Sequence, residues 1–303
     1  MLLYGTLIAC LVVAGAALRY KSEVFQTLPK AVDPRPTLWF VLDDQANSRR
    51  WISFEDRKTN ASNRGYPELA LQAAFKTQGA FRIEVLEGRK AIADKITSPL
   101  PLKYEQLPPT LWKGWSRAAL LASHGGLYVD GDSVLFTGPS MMERVKEVDT
   151  ALFGVNPDEP RVSPTTAVAP GPSSYVGWAR TAHHPVWNLA AKEWSDVLAP
   201  GAPSYSSAMA QRVEQEIMLH QREQGVTVLR EPEGTRRADG TLLTVEDFWG
   251  RTKLHIDASV AYIAVDGEIL ERSTQFQWAL RLSPAQLLAS DVVWVKLAKK
   301  AIE

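Results

Sequence analysis

The strongest constraint on the fold is the run of residues 112–136, in which a helical pattern, a glycine pair and a short apolar segment follow one another. Trp115 and Ala118 begin a stripe of apolar side chains at helical spacing, which predicts a buried helix face. Gly125 and Gly126 supply the left-handed backbone that ends a helix and turns the chain into a strand. The run therefore predicts a helix, a tight turn and a buried strand.

That strand ends in two carboxylates, Asp130 and Asp132, with Gly131 between them. In a regular strand the two acids share a face, and the glycine makes a bend equally compatible with the sequence. Two acids directly after a buried strand suit a hard divalent cation that carries a phosphate. We therefore expect Asp130 and Asp132 to be metal ligands.

The chain before this run alternates between strand and helix patterns. Residues 37–42 form a compact apolar run, residues 67–78 carry a helical stripe, and residues 81–86 again resemble a strand. This alternation predicts a doubly wound α/β fold with a mostly parallel sheet. Ligands of such sheets collect at the carboxyl ends of the strands, where Asp130 and Asp132 fall.

The second half of the chain predicts further elements. We expect helices at residues 185–197 and 207–224, a short strand at 226–229, and a C-terminal helix that begins after Ser283. Ser283 is followed by proline and, three residues on, by Gln286, which is the pattern of a capping box.

The N-terminal segment predicts a membrane anchor. Residues 2–18 carry no charge and approach the length of a membrane-spanning helix. A cleaved signal peptide normally has a basic region before its apolar run, whereas here Arg19 and Lys21 follow it. We expect a single transmembrane helix within residues 1–21, a proline-containing stalk at 22–36, and one catalytic domain at 37–303.

The side of the membrane stays open. The basic flank favours a cytoplasmic body, whereas the triplet that begins at Asn60 would accept a glycan in a lumenal body. The chain has 34 basic and 34 acidic residues, so no global positive field exists to hold nucleic acid. Cys10 is the only cysteine, which excludes an intrachain disulfide and a cysteine metal site.

Three features together resemble a known family: residues 107–109 (Leu-Pro-Pro), Arg117, and residues 125–132 (Gly-Gly-Leu-Tyr-Val-Asp-Gly-Asp). They are similar to the Asp-x-Asp sugar-binding region of a glycosyltransferase family. That family includes yeast-type initiating mannosyltransferases, capsular polysaccharide synthesis proteins and glucosylating clostridial toxins. Fainter similarity extends over residues 63–86 and 273–291.

The resemblance implies a GT-A-type nucleotide-sugar-binding fold and a metal-dependent, retaining hexosyltransferase for polysaccharide or glycoconjugate synthesis. The implied partners are a UDP- or GDP-sugar donor, Mn²⁺ or Mg²⁺, a glycan or glycoconjugate acceptor, and the membrane through the N-terminal helix. Asp130 would face the ribose and donor sugar, Asp132 would bind the metal directly, and Arg117 would contact the sugar or diphosphate. Gly126 and Tyr128 would belong to the same donor-binding region.

The sequence also departs from the family pattern. Many members carry an aspartate three residues before the arginine, where this chain has Gly114. The donor sugar is therefore left open, and a non-catalytic sugar- or partner-binding module is an alternative. His255 is a candidate for an additional metal ligand.

A further alternative is a phosphatase of the haloacid dehalogenase type, because Asp130-Gly131-Asp132 resembles its nucleophile loop. That chemistry requires a lysine and an acidic pair downstream, and no Asp-Asp pair follows in this sequence.

Overall fold

The computed structural model describes residues 33–43, 65–101, 104–154, 172–199 and 227–230, and most of 245–303 with gaps at 252–253, 255, 257, 265–269 and 271–273. The predicted anchor, nearly all of the stalk, the Asn60 triplet, His255 and the predicted helix at 207–224 lie outside these residues. Within the described ranges, each helix is too short or too polar to cross a bilayer. Residues Arg35–Glu303 form one compact unit.

The described elements alternate between strands and helices along the first half of the chain. The strands are β1 Thr37–Leu42, β2 Arg82–Glu87, β3 Gly126–Asp130, β4 Val134–Phe136, β5 Thr150–Gly154, β6 Pro172–Ala179, β7 Thr227–Arg230 and β8 Tyr262–Ala264. The α-helices are α1 Gly65–Thr77, α2 Gly88–Ala93, α3 Pro109–His124, α4 Met142–Val145, α5 Pro185–Val197, α6 Val245–Trp249, α7 Pro284–Leu288 and α8 Val293–Ile302, with 3₁₀ turns at Tyr104–Gln106 and Gln277–Arg281.

Six described strands form the central sheet in the order β2-β1-β3-β6-β5-β7, and β4 pairs with β8 in a small second sheet. Strand β1 runs parallel to both β2 and β3, and β5 runs parallel to β7. Only β6 is reversed, because it is antiparallel to both of its neighbours. The sheet is therefore mixed but mostly parallel, which confirms the predicted α/β class.

The adjacent strands β1 and β3 are buried along their whole length and are mostly apolar, as expected for parallel strands covered on both faces. All six residues of β1 are buried. On one face Phe40 joins a core with α1 and α8, and on the other face Trp39 joins a core with α3 and α5. Alternate side chains of β1 and β3 thus enter two separate cores, which places α3 and α5 together on one side of the sheet.

The C-terminal region confirms one prediction and corrects another. Ser283 Oγ accepts from the Gln286 backbone N–H, and the Gln286 side chain accepts from the Ser283 N–H, which is the predicted capping box. The sequence pattern predicted one continuing helix, but α7 ends at Leu288 and α8 begins at Val293. The break has a tertiary cause, because the Val293 N–H donates to the Gly250 carbonyl at 3.1 Å.

Candidate functional site

The Asp-Gly-Asp segment lies at the carboxyl ends of two adjacent parallel strands. Val41 of β1 pairs with Asp130 of β3, and the Gly131 N–H donates to the Val41 carbonyl at 2.7 Å. A Cβ at Gly131 would overlap the ring of Phe40, so this turn requires glycine. The strand ends at Asp130 and the chain bends over the next three residues. The structure therefore has the bend, rather than the straight strand, of the two alternatives left by the sequence.

The two carboxylates are bridged by a lysine that the sequence analysis did not select. Lys113 of α3 places its Nζ atom 3.0 and 3.1 Å from the two oxygens of Asp130 and 3.3 Å from Asp132 Oδ2. The exposed fractions of the side chains are 11% for Lys113, 4% for Asp130 and 15% for Asp132. These three residues, named here the Lys113 cluster, form an ion-pair network that is largely shielded from water.

Other groups complete the hydrogen bonding of the carboxylates. The Asp132 N–H donates to Asp130 Oδ1 at 3.2 Å, and the Ser133 hydroxyl donates to Asp130 Oδ2 at 3.0 Å. The Asp43 N–H, just beyond β1, donates to Asp132 Oδ2 at 2.7 Å. Within the described part of the chain, the donors to Asp132 thus converge on Oδ2, and its Oδ1 is left available.

Burial and charge shift the pKa values within this cluster. Burial acts to lower the pKa of Lys113, but the carboxylates of Asp130 and Asp132 raise it well above its ordinary value. Burial raises the pKa of Asp132 to about 6, because the loss of hydration outweighs the attraction of Lys113. Lys113 therefore remains an ammonium ion at neutral pH, and it supplies the positive charge at these carboxylates.

The arrangement does not fit a divalent cation. Mg²⁺ and Mn²⁺ need carboxylate oxygens that are free to enter the coordination shell. Here Lys113 is bonded to both oxygens of Asp130 and to one oxygen of Asp132. Among the described residues, no group of three or more His, Cys, Asp or Glu side chains lies close enough to hold a metal. The expected role of Asp132 as a direct metal ligand stays a prediction.

Gly114 and Arg117 both lie against the neighbouring helix α5. A Cβ at Gly114 would overlap the indole ring of Trp194 in α5. Arg117 is fully buried, and its guanidinium carbon lies 5.7 Å from the centre of the Trp187 ring, also in α5. The expected donor contact of Arg117 stays a prediction, and its described contact is with the aromatic side chain of α5.

Gly126 and Tyr128 also have structural surroundings. Gly126 begins β3 at the end opposite Asp130, with φ of +94°, and a Cβ there would overlap the Thr37 carbonyl. Tyr128 is fully buried, and burial raises the pKa of its hydroxyl. The structure thus brings Asp130 and Asp132 together but places Gly126 at a distance from them along the strand.

Asp132 lines a small cleft together with aromatic side chains. Trp249 and Trp294 stack with ring centres 5.3 Å apart, and Tyr66 meets both rings edge-on. Gly131 and Ser133 lie at the same border of the cleft. The cleft therefore places one carboxylate beside an aromatic cluster, and Trp249 and Trp294 of that cluster are buried in the core.

The sequence contained a signal that could have found Lys113. A helix that connects parallel strands runs antiparallel to them, so its first turns lie at the carboxyl edge of the sheet. Lys113 is the fifth residue of α3, whose last residue leads through Gly125 into β3. A charged residue in this position is expected near the end of β3, where Asp130 lies.

No protein-family model and no curated protein sequence matches this chain. Among solved structures it is similar to the apo-form glycosyltransferase GlyE of Streptococcus pneumoniae TIGR4, with 10% sequence identity and a TM-score of 0.32. The similarity covers 65% of this chain and 45% of that one, so the chain spans less than half of the GlyE structure. At this TM-score the similarity supports no conclusion about function.

Proposed function

We propose that this protein is a glycosyltransferase that binds a UDP- or GDP-hexose at the edge formed by β1 and β3. The observation that carries the proposal is the position of Asp130 and Asp132. They follow a buried strand, they lie at the carboxyl ends of two adjacent parallel strands, and Asp132 borders a small cleft. Ligands of open α/β sheets bind at this edge.

The two carboxylates have different roles in this proposal. Asp130 is buried behind the turn, where it holds Lys113 and the Ser133 hydroxyl in place. Asp132 reaches the cleft and accepts hydrogen bonds from the donor sugar. The partly buried Tyr66 then provides apolar surface beside the sugar, and Trp249 supports the Tyr66 ring from the core.

The type of reaction and its stereochemistry are inferred from the sequence resemblance. It implies transfer of the hexose to a glycan or glycoconjugate acceptor with retention at the anomeric carbon. No general base is assigned, because a retaining transferase of this kind does not need a dedicated one.

A second candidate function is a non-catalytic module that binds a nucleotide sugar or a glycan. Two observations favour it. Lys113 occupies the carboxylate oxygens, and the ring of Trp194 fills the space that the family aspartate would need at position 114. Such a protein would keep the cleft and lose the transfer reaction.

The test uses the full-length protein and a panel of UDP- and GDP-hexoses, with and without a mixture of glycan acceptors. Binding is measured by calorimetry, and turnover by release of UDP or GDP. The informative variant is Asp132→Asn, which keeps the shape of the side chain and removes its charge. The matched control is Asp94→Asn, since Asp94 is exposed and pairs only with Lys90 among its described contacts.

We expect the wild-type protein to release nucleotide from at least one donor, and Asp132→Asn to reduce the rate by about 10²-fold or more. Asp94→Asn should match the wild type. Binding without turnover in every acceptor mixture would establish the second candidate instead. A protein that binds no nucleotide sugar would overturn the proposal, and phosphate release from simple phosphomonoesters would point to the phosphatase alternative.

A further inference from the structure

We infer that Lys113 takes the place of a divalent cation at Asp130 and Asp132, so that this site functions without a metal ion. The inference deepens the proposed function and rests on it for the identity of the sugar ligand. Its central claim, that the lysine excludes the metal, concerns only the three side chains of the Lys113 cluster.

The first argument is geometric. An ammonium group has three N–H donors, and Lys113 Nζ has three carboxylate oxygens within 3.0–3.3 Å. A divalent cation bound by the same two carboxylates would need these oxygens in its own coordination shell. The ammonium group and the metal ion therefore compete for three of the four carboxylate oxygens, and among the described contacts only Asp132 Oδ1 has no donor.

The second argument is electrostatic. The Lys113 side chain is 11% exposed, so it has little water with which to replace its carboxylate partners if it left them. A metal ion that entered beside it would place two positive charges within a few ångströms in a poorly hydrated site. Both effects favour the lysine over an added metal ion.

The third argument concerns the ligand that such a site accepts. The two carboxylates and one ammonium group leave one negative charge, and the nearby carboxylate of Asp43 adds to the negative field at Asp132. A phosphate group at Asp132 would be repelled, whereas sugar hydroxyls can donate hydrogen bonds to it. We therefore assign the cleft beside Asp132 to the uncharged sugar ring, with the diphosphate of a donor bound away from the Lys113 cluster.

The experiment measures Mn²⁺ binding directly by electron paramagnetic resonance, without any sugar present. We compare the wild type with Lys113→Gln, whose side chain is one atom shorter, keeps two N–H donors and carries no charge. Lys90→Gln is the matched control, because Lys90 is 84% exposed and pairs with the exposed Asp94. The double variant Lys113→Gln with Asp132→Asn tests whether any metal gained binds at this pair.

The expected result is no saturable Mn²⁺ binding by the wild type or by Lys90→Gln. Lys113→Gln should show saturable Mn²⁺ binding, at least about tenfold tighter than any residual binding by the wild type, since the competing charge is gone. The double variant should lose that gain. Wild-type binding of Mn²⁺ that Asp132→Asn abolishes would overturn the inference, as would a folded Lys113→Gln that binds no more Mn²⁺ than the wild type.

A second measurement uses only the wild-type protein, in case the Lys113 variants do not fold. The reactivity of Lys113 toward an amine-acylating reagent is followed by mass spectrometry with and without Mn²⁺. We expect low reactivity in both conditions, and an Mn²⁺-dependent increase at Lys113 would show that a metal ion displaces it. Because neither measurement contains a nucleotide sugar, a failed donor-binding test would count against the proposed function and leave the metal result unaffected.

Discussion

Lys113 and Gly114 are neighbours in α3, yet they belong to two different regions of the molecule. Successive residues of an α-helix point about 100° apart, so adjacent positions can face different partners. Lys113 reaches the carboxylates at the end of β3, whereas Gly114 lies beneath the ring of Trp194 in α5. One region is a cluster of charges, and the other is a tightly packed contact between two helices.

The difference changes how the glycosyltransferase-like motif is understood in this chain. In the sequence, Gly114 stands where many members of the resembled family carry an aspartate. In the structure, it permits the close approach of Trp194, and an aspartate there would overlap the indole ring. The residue that meets Asp130 is the neighbouring lysine, so the charge at position 113, and not position 114, determines the surroundings of the carboxylates.

The largest effect is expected from removing the charge at position 113. Lys113→Ala leaves two carboxylates buried without their cation, and breaking a buried ion pair costs about 3–5 kcal/mol in the free energy of unfolding. Urea denaturation measures this loss. Lys90→Ala should leave the stability close to that of the wild type, because exposed ion pairs contribute little.

A double variant separates the effect of the uncompensated charge on stability from the effect of lost packing around Lys113. Lys113→Ala combined with Asp130→Asn removes the uncompensated charge, so its stability should exceed that of Lys113→Ala alone. An equal or lower stability for the double variant would show that packing around Lys113, and not charge balance, makes it important.

Much of the fold follows from local sequence patterns. The strand β1 and the helices α1 and α5 lie where their patterns predict them. Each of these segments carries, in its own residues, the apolar spacing that directs one face into the core. The capping box at Ser283 likewise depends on only four consecutive residues. The short strand predicted at 226–229 is found at Thr227–Arg230.

The parts that could not be predicted depend on contacts between distant segments. The space at Gly114 is set by Trp194, and the environment of Arg117 is set by Trp187, about 70–80 residues away along the chain. The break between α7 and α8 depends on the Gly250 carbonyl. The motif located Asp130 and Asp132 correctly at the sheet edge, but it could not show which side chain of α3 meets them.

An intermediate effect is expected at Gly114. Replacing glycine by alanine inside a helix normally stabilises it by about 1 kcal/mol. Here the added methyl group would overlap Trp194, and overpacking costs about 1–3 kcal/mol, so we expect Gly114→Ala to be destabilising overall. The measurement is the urea midpoint of unfolding. Gly79→Ala is the control, because no atom lies within 4 Å of a Cβ at that position.

Whether Gly114→Ala raises or lowers the stability decides whether the glycine is needed for the packing of α3 against α5. A stabilised Gly114→Ala would show that α5 does not press against α3 at this point, and the missing aspartate would again need another explanation. An unchanged Gly79→Ala with a destabilised Gly114→Ala would confirm that the glycine serves the packing of the two helices.

The smallest effect is expected at His184, which caps the N-terminus of α5, the helix that packs on Gly114. Its Nδ1 accepts from the Val186 N–H at 3.4 Å, and only a neutral imidazole can do so. Burial lowers the pKa of His184, although the charge of Asp149 acts in the opposite direction. The folded state therefore disfavours the protonated ring, and as the pH falls through about 6.5 the unfolded chain takes up the proton first.

The stabilising contribution of His184 is thus present above the pKa of the unfolded chain and is lost as the pH falls through the lower pKa of the folded state. In His184→Asn the amide oxygen can cap the helix at any of these pH values. We expect the urea midpoint of the wild type to fall relative to that of His184→Asn between about pH 7.5 and 5.5. A constant difference across this range would mean that the ring does not act as the cap. Because α5 contacts the Gly114 side of α3, the titration should leave the reactivity of Lys113 unchanged, which tests whether the two regions behave independently.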